Sequence, residues 1–128
     1  MLEIKVLLIE DIKMVRKSII NMLGEDYIVD EAPDVETAKL LLSSKKYDII
    51  LADLNVGDKK GVETIEAICD KAKKTPIIVC SGCIDKDVAI GLTCKGIKEI
   101  IAKPLDHKID YVILFKKCYG RINLHSYS

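Results

Sequence analysis

The chain has 128 residues, of which 49 % are hydrophobic and 31 % charged, and its 20 Lys+Arg balance 20 Asp+Glu. That is one domain's length, enough for a real core, and the composition excludes a disordered chain. Zero net charge gives no basic excess that argues for direct nucleic-acid binding, though a local patch stays open, and no apolar run approaches the roughly 18 residues of a membrane span.

The first run, "IKVLLIE" (4–10), reads as a strand. Acidic residues follow at once and no small-residue cleavage site is evident, so it is not a signal peptide, and a cytoplasmic protein is expected. In 11–24, Ile12, Val15, Ile19, Met22 and Leu23 fall on one helical face, with Gly24 as the stop. "YIVDEA" (27–32) is a weaker strand. Asp34 can cap a helix over 34–45 whose stripe is Val35, Ala38, Leu41 and Leu42. "YDIILAD" (47–53) is a strand, followed by a helix over 61–74 with Val62, Ile65, Cys69 and Ala72 inward and Pro76 beyond its end. "PIIVCSG" (76–82) and "IKEIIAK" (97–103) complete the strands. A shorter helix is expected over 85–95, and a longer one over 105–119 with Ile109, Val112 and Ile113 facing in. Residues 1–120 then form one domain, and 121–128 a short polar tail.

The four strong runs lack clean alternation, as strands buried on both faces do. Five β-α repeats with short turns give an α/β fold, a parallel sheet with helices on both faces. Of the few arrangements left, the flavodoxin-like order 2-1-3-4-5 is the expected one.

Such sheets place ligands at the carboxyl ends of their strands. Strand 1 delivers Glu10 and Asp11 there, strand 3 Asp53, strand 4 Ser81 and Gly82, and strand 5 Lys103 before Pro104. Carboxylates crowded at one edge repel one another. A hard divalent cation, Mg²⁺ or Mn²⁺, relieves that and screens a carboxylate from an incoming phosphoryl group. Lys103 offers a mobile positive charge for one phosphate oxygen, Ser81 a hydroxyl for another, and Gly82 room for close approach. Asp53 is then placed to attack phosphorus and form an acyl phosphate.

At these residues the sequence resembles the response-regulator receiver domains of two-component signalling, over roughly residues 3–119. "LLIEDIKMVR" is similar to the family's acidic pair and first helix, and "YDIILADLNVGDKKGVE" to its phosphoacceptor strand and loop, with Gly61 opening the next helix. "PIIVCSG" and "GIKEIIAKPL" resemble the strands carrying its hydroxyl and its Lys-Pro pair. The resemblance implies that Asp53 is phosphorylated and that Glu10, Asp11, Asp53 and the backbone carbonyl of Asn55 hold the cation. It implies that Ser81 and Lys103 bind the phosphoryl oxygens. It further implies a signalling switch rather than an enzyme, catalysing only its own phosphorylation and dephosphorylation. The phosphoryl donor would be a histidine kinase or histidine phosphotransfer protein. A downstream protein or fused output domain would bind the helix 4–strand 5–helix 5 face, and homodimerisation is compatible with it.

Two positions depart from the family pattern. Gly57 stands where many members carry proline, and Ile100 where the family has its switch aromatic, so the usual route from Ser81 to the output face is in question. Ile100 keeps open a phosphate-independent binding module. Cys80-x-x-Cys83 raises a thiol oxidoreductase. Cys80, however, belongs to a strand, where Cα atoms three residues apart lie about 10 Å apart, beyond the roughly 7 Å a disulfide spans. Cys69, Cys80, Cys94 and Cys118 read as small hydrophobes. Cys83, two residues past Ser81, is expected to affect water access to the acyl phosphate. A haloacid-dehalogenase-like phosphatase fails at Asn55, which is not an acid and cannot protonate a leaving group. His107 and His125 lack ligand spacing, and Lys59 and Lys60 read as a solvated loop.

Overall fold

The computed structural model describes residues 4–53, 62–72, 75–81, 90–91 and 99–102. Among these, the elements run β1 (Ile4–Ile9), α1 (Lys13–Leu23), β2 (Tyr27–Ala32), α2 (Val35–Ser44), β3 (Ile49–Asp53), α3 (Val62–Ala72), β4 (Ile77–Ser81) and β5 (Glu99–Ala102). The strands form one sheet in the order β2-β1-β3-β4-β5. All its pairings are parallel, as the sequence led us to expect. The expected helices over 85–95 and 105–119 lie outside the described residues, apart from a helical Ile90 and Gly91. The tail 121–128, Cys83, Cys94, Cys118, His107, His125, Gly57, Lys59 and Lys60 lie outside them as well.

The absence of alternation in the strand sequences has a direct cause. Successive side chains of a strand point to opposite faces, and here both faces are covered. Leu7, Ile9, Ile50, Ala52 and Val79 share one core with Val35 and Ala38 of α2 and Ile65, Ile68 and Ala72 of α3. Val6, Leu8, Ile49, Leu51, Ile78 and Cys80 share the other with Ile19 and Leu23 of α1. Every residue of β3 is buried. Truncating one of its large side chains, as in Leu51→Ala, would cost about 2–5 kcal/mol of stability.

The helix ends follow local chemistry. Asp34 Oδ1 accepts the Thr37 N–H at 2.7 Å and caps α2, and the hydrogen bonds from Thr37 hold the Asp34 carboxyl below its usual range. Gly24 closes α1 at φ 82°, in the left-handed region that glycine enters without a Cβ penalty. One expectation is corrected. Ile12 was placed on the buried face of the first helix, yet it is 54 % exposed. The helix starts at Lys13, and Ile12 is its N-cap, in extended conformation at φ −90°, ψ 114°. The helical period therefore does not apply to it. Val15 and Met22 pack only partly buried against the α1-side core.

Cys80 is 2 % exposed within β4 and sits opposite Asp53 of β3. It fills the core as a small hydrophobe, and its extended setting is not that of a redox pair at a helix start. Cys69 packs partly buried against the α2–α3 side.

Candidate functional site

The register of the sheet decides what meets at its carboxyl edge. Ile9 pairs with Ala52, Asp53 with Cys80, and Ser81 with Ala102. The backbone positions at which β1, β3, β4 and β5 end therefore lie side by side, so that Glu10, Asp53, Ser81 and Ala102 approach one edge. No local motif could bring these residues together, since each comes from a different strand.

Glu10 continues β1 by one ladder bond, its N–H donating to the Ala32 carbonyl at 3.1 Å. Its side chain is 1 % exposed, and Oε2 accepts the Ile12 N–H at 3.1 Å. The buried carboxylate thus points back across the β1–α1 turn and holds it. Asp11, in the turn itself, is exposed. Asp53 is the last residue of β3 and 9 % exposed. One carboxylate oxygen from each of Glu10, Asp11 and Asp53 lies within 4.8 Å of the others. The three acidic residues singled out from the sequence are brought together.

The other expected site residues are less fully described. Ser81 ends β4, and its backbone pairs with Ala102, the residue before Lys103. Asn55, Gly82 and Lys103 lie outside the described residues.

Sequence reading did not single out Arg16, on the first turn of α1. Its Nη1 donates to the carbonyl oxygens of Glu10 at 2.8 Å and Asp11 at 3.2 Å, and its Nε donates to Glu31 Oε1 at 3.0 Å. The signal was available only as an arginine one helical turn past the acidic pair, which by itself reads as an ordinary surface cation.

The donor set fits a hard dication. Oxygens around Mg²⁺ at about 2.1 Å lie about 3–4 Å from one another, and such a site keeps several waters beside one or two carboxylates. A set within 4.8 Å reaches that span by small side-chain rotations. A cleft of about 620 Å³ at the opposite, amino end of the sheet, lined in part by Lys46, Tyr47, Lys71 and Pro76, contains none of these carboxylates.

A five-stranded parallel sheet of order 2-1-3-4-5 with an acidic cluster at its carboxyl edge is the architecture of a receiver-type signalling domain, and sequence comparison agrees. The model of the response regulator receiver domain family matches residues 6–109. The chain belongs to that family and is a receiver domain, a signalling switch. It is 32 % identical over 132 residues to the cell cycle response regulator CtrA of Brucella ovis, covering 97 % of this chain and 53 % of that protein. It is 32 % identical over 106 residues to protein-glutamate methylesterase/protein-glutamine glutaminase 3 of Paramagnetospirillum magneticum, covering 80 % of this chain and 29 % of that one. The chain thus spans about a third to a half of the length of these curated relatives. Among solved structures it is similar to a response regulator of Burkholderia pseudomallei holding a phosphorylated aspartic acid, a calcium ion and citrate. The TM-score there is 0.77 at 21 % identity, over 96 % of this chain and 72 % of that one. No helix of the described residues is long and apolar enough to cross a membrane.

Proposed function

We propose that Asp53 is the phosphoacceptor of a phosphorelay. The observation that carries this is the meeting of the Glu10, Asp11 and Asp53 carboxylates within 4.8 Å at the carboxyl edge of the sheet. The phosphorylated aspartate of the Burkholderia neighbour supports it by analogy. In the step proposed, an Asp53 carboxylate oxygen attacks phosphorus and the P–N bond of a phosphohistidine breaks. The imidazole leaves on the donor protein, and Asp53 carries an acyl phosphate.

Glu10, Asp11, Asp53 and the Asn55 carbonyl would hold Mg²⁺ or Mn²⁺, which when bound offsets the charge of the phosphoryl group and the carboxylates. Ser81 and Lys103 would contact the phosphoryl oxygens, and Gly82 would leave them space. Glu10 has a second task. Its bond to the Ile12 N–H keeps the acidic turn in place, so this buried carboxylate supports the site as well as charging it. Residues 1–120 form the receiver, with 121–128 as a tail. The donor is a histidine kinase or a histidine phosphotransfer protein in the cytoplasm. The phosphorylated state regulates a partner or a fused output domain through the face made by the expected helix over 85–95 (helix 4), strand 5 and the expected helix over 105–119 (helix 5).

Incubation with acetyl phosphate and Mg²⁺, followed by intact-mass measurement, tests the reading. The wild-type chain gains one phosphoryl group and Asp53→Asn gains none. Equal labelling of the two proteins would refute the assignment.

A further inference from the structure

We propose that Arg16 is a positioning residue for the acidic site. Its guanidinium fixes the turn that carries Glu10 and Asp11, and so sets the affinity of the carboxylate cluster for a divalent cation. This rests on reading that cluster as a cation site.

The turn between β1 and α1 has a demanding task, because it must hold Asp11 out toward water while Glu10 stays buried. The helix that follows does little to fix it. Ile12 occupies the N-cap without a side-chain cap bond, and the first turn contains no acidic residue, so the usual devices at a helix start are missing. Arg16 takes their place from one turn further on. One nitrogen, Nη1, bridges the carbonyl oxygens of Glu10 and Asp11 at 2.8 and 3.2 Å. Its backbone N–H closes the first helical turn on the Ile12 carbonyl at 3.1 Å. Residues 10, 11 and 12 are therefore each bonded to Arg16.

The guanidinium is itself held. Nε donates to Glu31 Oε1 at 3.0 Å, and the Arg16 side chain is only 12 % exposed, although its partner Glu31 is 43 % exposed. Glu31 lies on β2, which ties the turn to a second strand. Arg16 and Glu31 together carry no net charge, so the clamp holds the turn that bears Glu10 and Asp11 without diminishing the charge these two offer a cation. The planar fork matters, since an ammonium on a flexible stem does not present fixed donors to three oxygens at once. Partners that orient metal ligands in this way typically set affinity by about 10–100-fold.

The test is an NMR titration of the full chain with Mg²⁺, for wild type, Arg16→Gln, Arg16→Lys and Glu31→Gln. Each protein is also melted thermally without Mg²⁺. Arg16→Gln is expected to weaken Mg²⁺ binding by about 10-fold. Arg16→Lys should fall between it and wild type, and Glu31→Gln should show a smaller loss. A purely structural arginine would lower the Mg²⁺-free melting temperature and leave the Kd unchanged, and that result overturns the proposal. Should Arg16→Gln not fold, an unchanged Kd in both Arg16→Lys and Glu31→Gln overturns it equally. The wild-type titration separates the two levels of the claim. Absence of Mg²⁺ binding there removes the cation reading itself and the proposal with it, whereas intact wild-type binding with unaffected variants removes the proposal alone.

Discussion

Asp30 and Asp53 each sit among other polar groups, but in opposite company. Asp30, on the edge strand β2, receives the Tyr47 hydroxyl at 2.6 Å and the Lys45 ammonium at 3.2 Å. The Tyr47 hydroxyl, helped by Lys45, holds the Asp30 carboxyl below its ordinary value of 3.8. Burial, with the Asp30 charge behind it, pushes the Tyr47 phenol above its ordinary 10.0. Asp53, on the central strand β3, instead meets the carboxylates of Glu10 and Asp11. The first group is built from complementary charges and stabilises the fold. The second gathers like charges, an arrangement that a bound cation offsets. Like charges gathered in one place point to function more than a complementary pair does.

The largest expected difference is in phosphoryl acceptance. With acetyl phosphate, Asp53→Asn loses labelling altogether, whereas Asp30→Asn is labelled to within about two-fold of wild type, since a group remote from the reacting atoms leaves barrier and positioning unchanged. Intact mass at fixed times reads both.

Stability without Mg²⁺ should move in opposite directions for the two groups. Asp30→Asn or Tyr47→Phe is expected to destabilise by about 1.5–3 kcal/mol, the worth of a hydrogen bond to a charged group. Asp11→Asn should stabilise, by about 0.5 kcal/mol or more, by relieving repulsion at a part-exposed site. Urea denaturation of each variant measures the sign. Destabilisation by Asp11→Asn would mean that its carboxylate has a structural partner instead. Adding Mg²⁺ should then raise wild-type stability by about 1.4 kcal/mol at ten times its Kd, with Asp11→Asn responding less.

The smallest effect lies in the pH dependence of the Asp30 group. A lowered carboxylate pKa contributes stability that is present above 3.8 and is lost as pH falls below it. A raised phenol contributes stability that is present below 10.0 and is lost as pH rises beyond it. Tyr47→Phe should therefore flatten the alkaline limb of the stability profile and reduce the acid one, the lost stability being felt in full between them.

The sheet was legible because its signal is redundant. β3 and β4 are apolar up to their last residue and β1 is interrupted only by the exposed Lys5, and runs of that length and β-branched content read as strands buried on both faces. The acidic cluster was legible for a topological reason, since parallel strands deliver their last residues to one edge. What stayed hidden depended on partners distant in sequence. Tyr47 and Asp30 are 17 residues apart, and Arg16 and Glu31 15 apart, and neither pair has a local pattern. Ile12 misled for the converse reason. It continues the helical period of α1 by one step but lies in extended backbone, where that period has no meaning.

The central claim is that Asp53, among all the carboxylates of the chain, takes the phosphoryl group. The most direct measurement is to phosphorylate the full chain, reduce the acyl phosphate with borohydride, and locate the resulting homoserine by peptide mass mapping. Modification is expected at position 53 alone. Modification at Glu10, Asp11 or Asp30, or none at all under conditions in which Mg²⁺ binds, would contradict it.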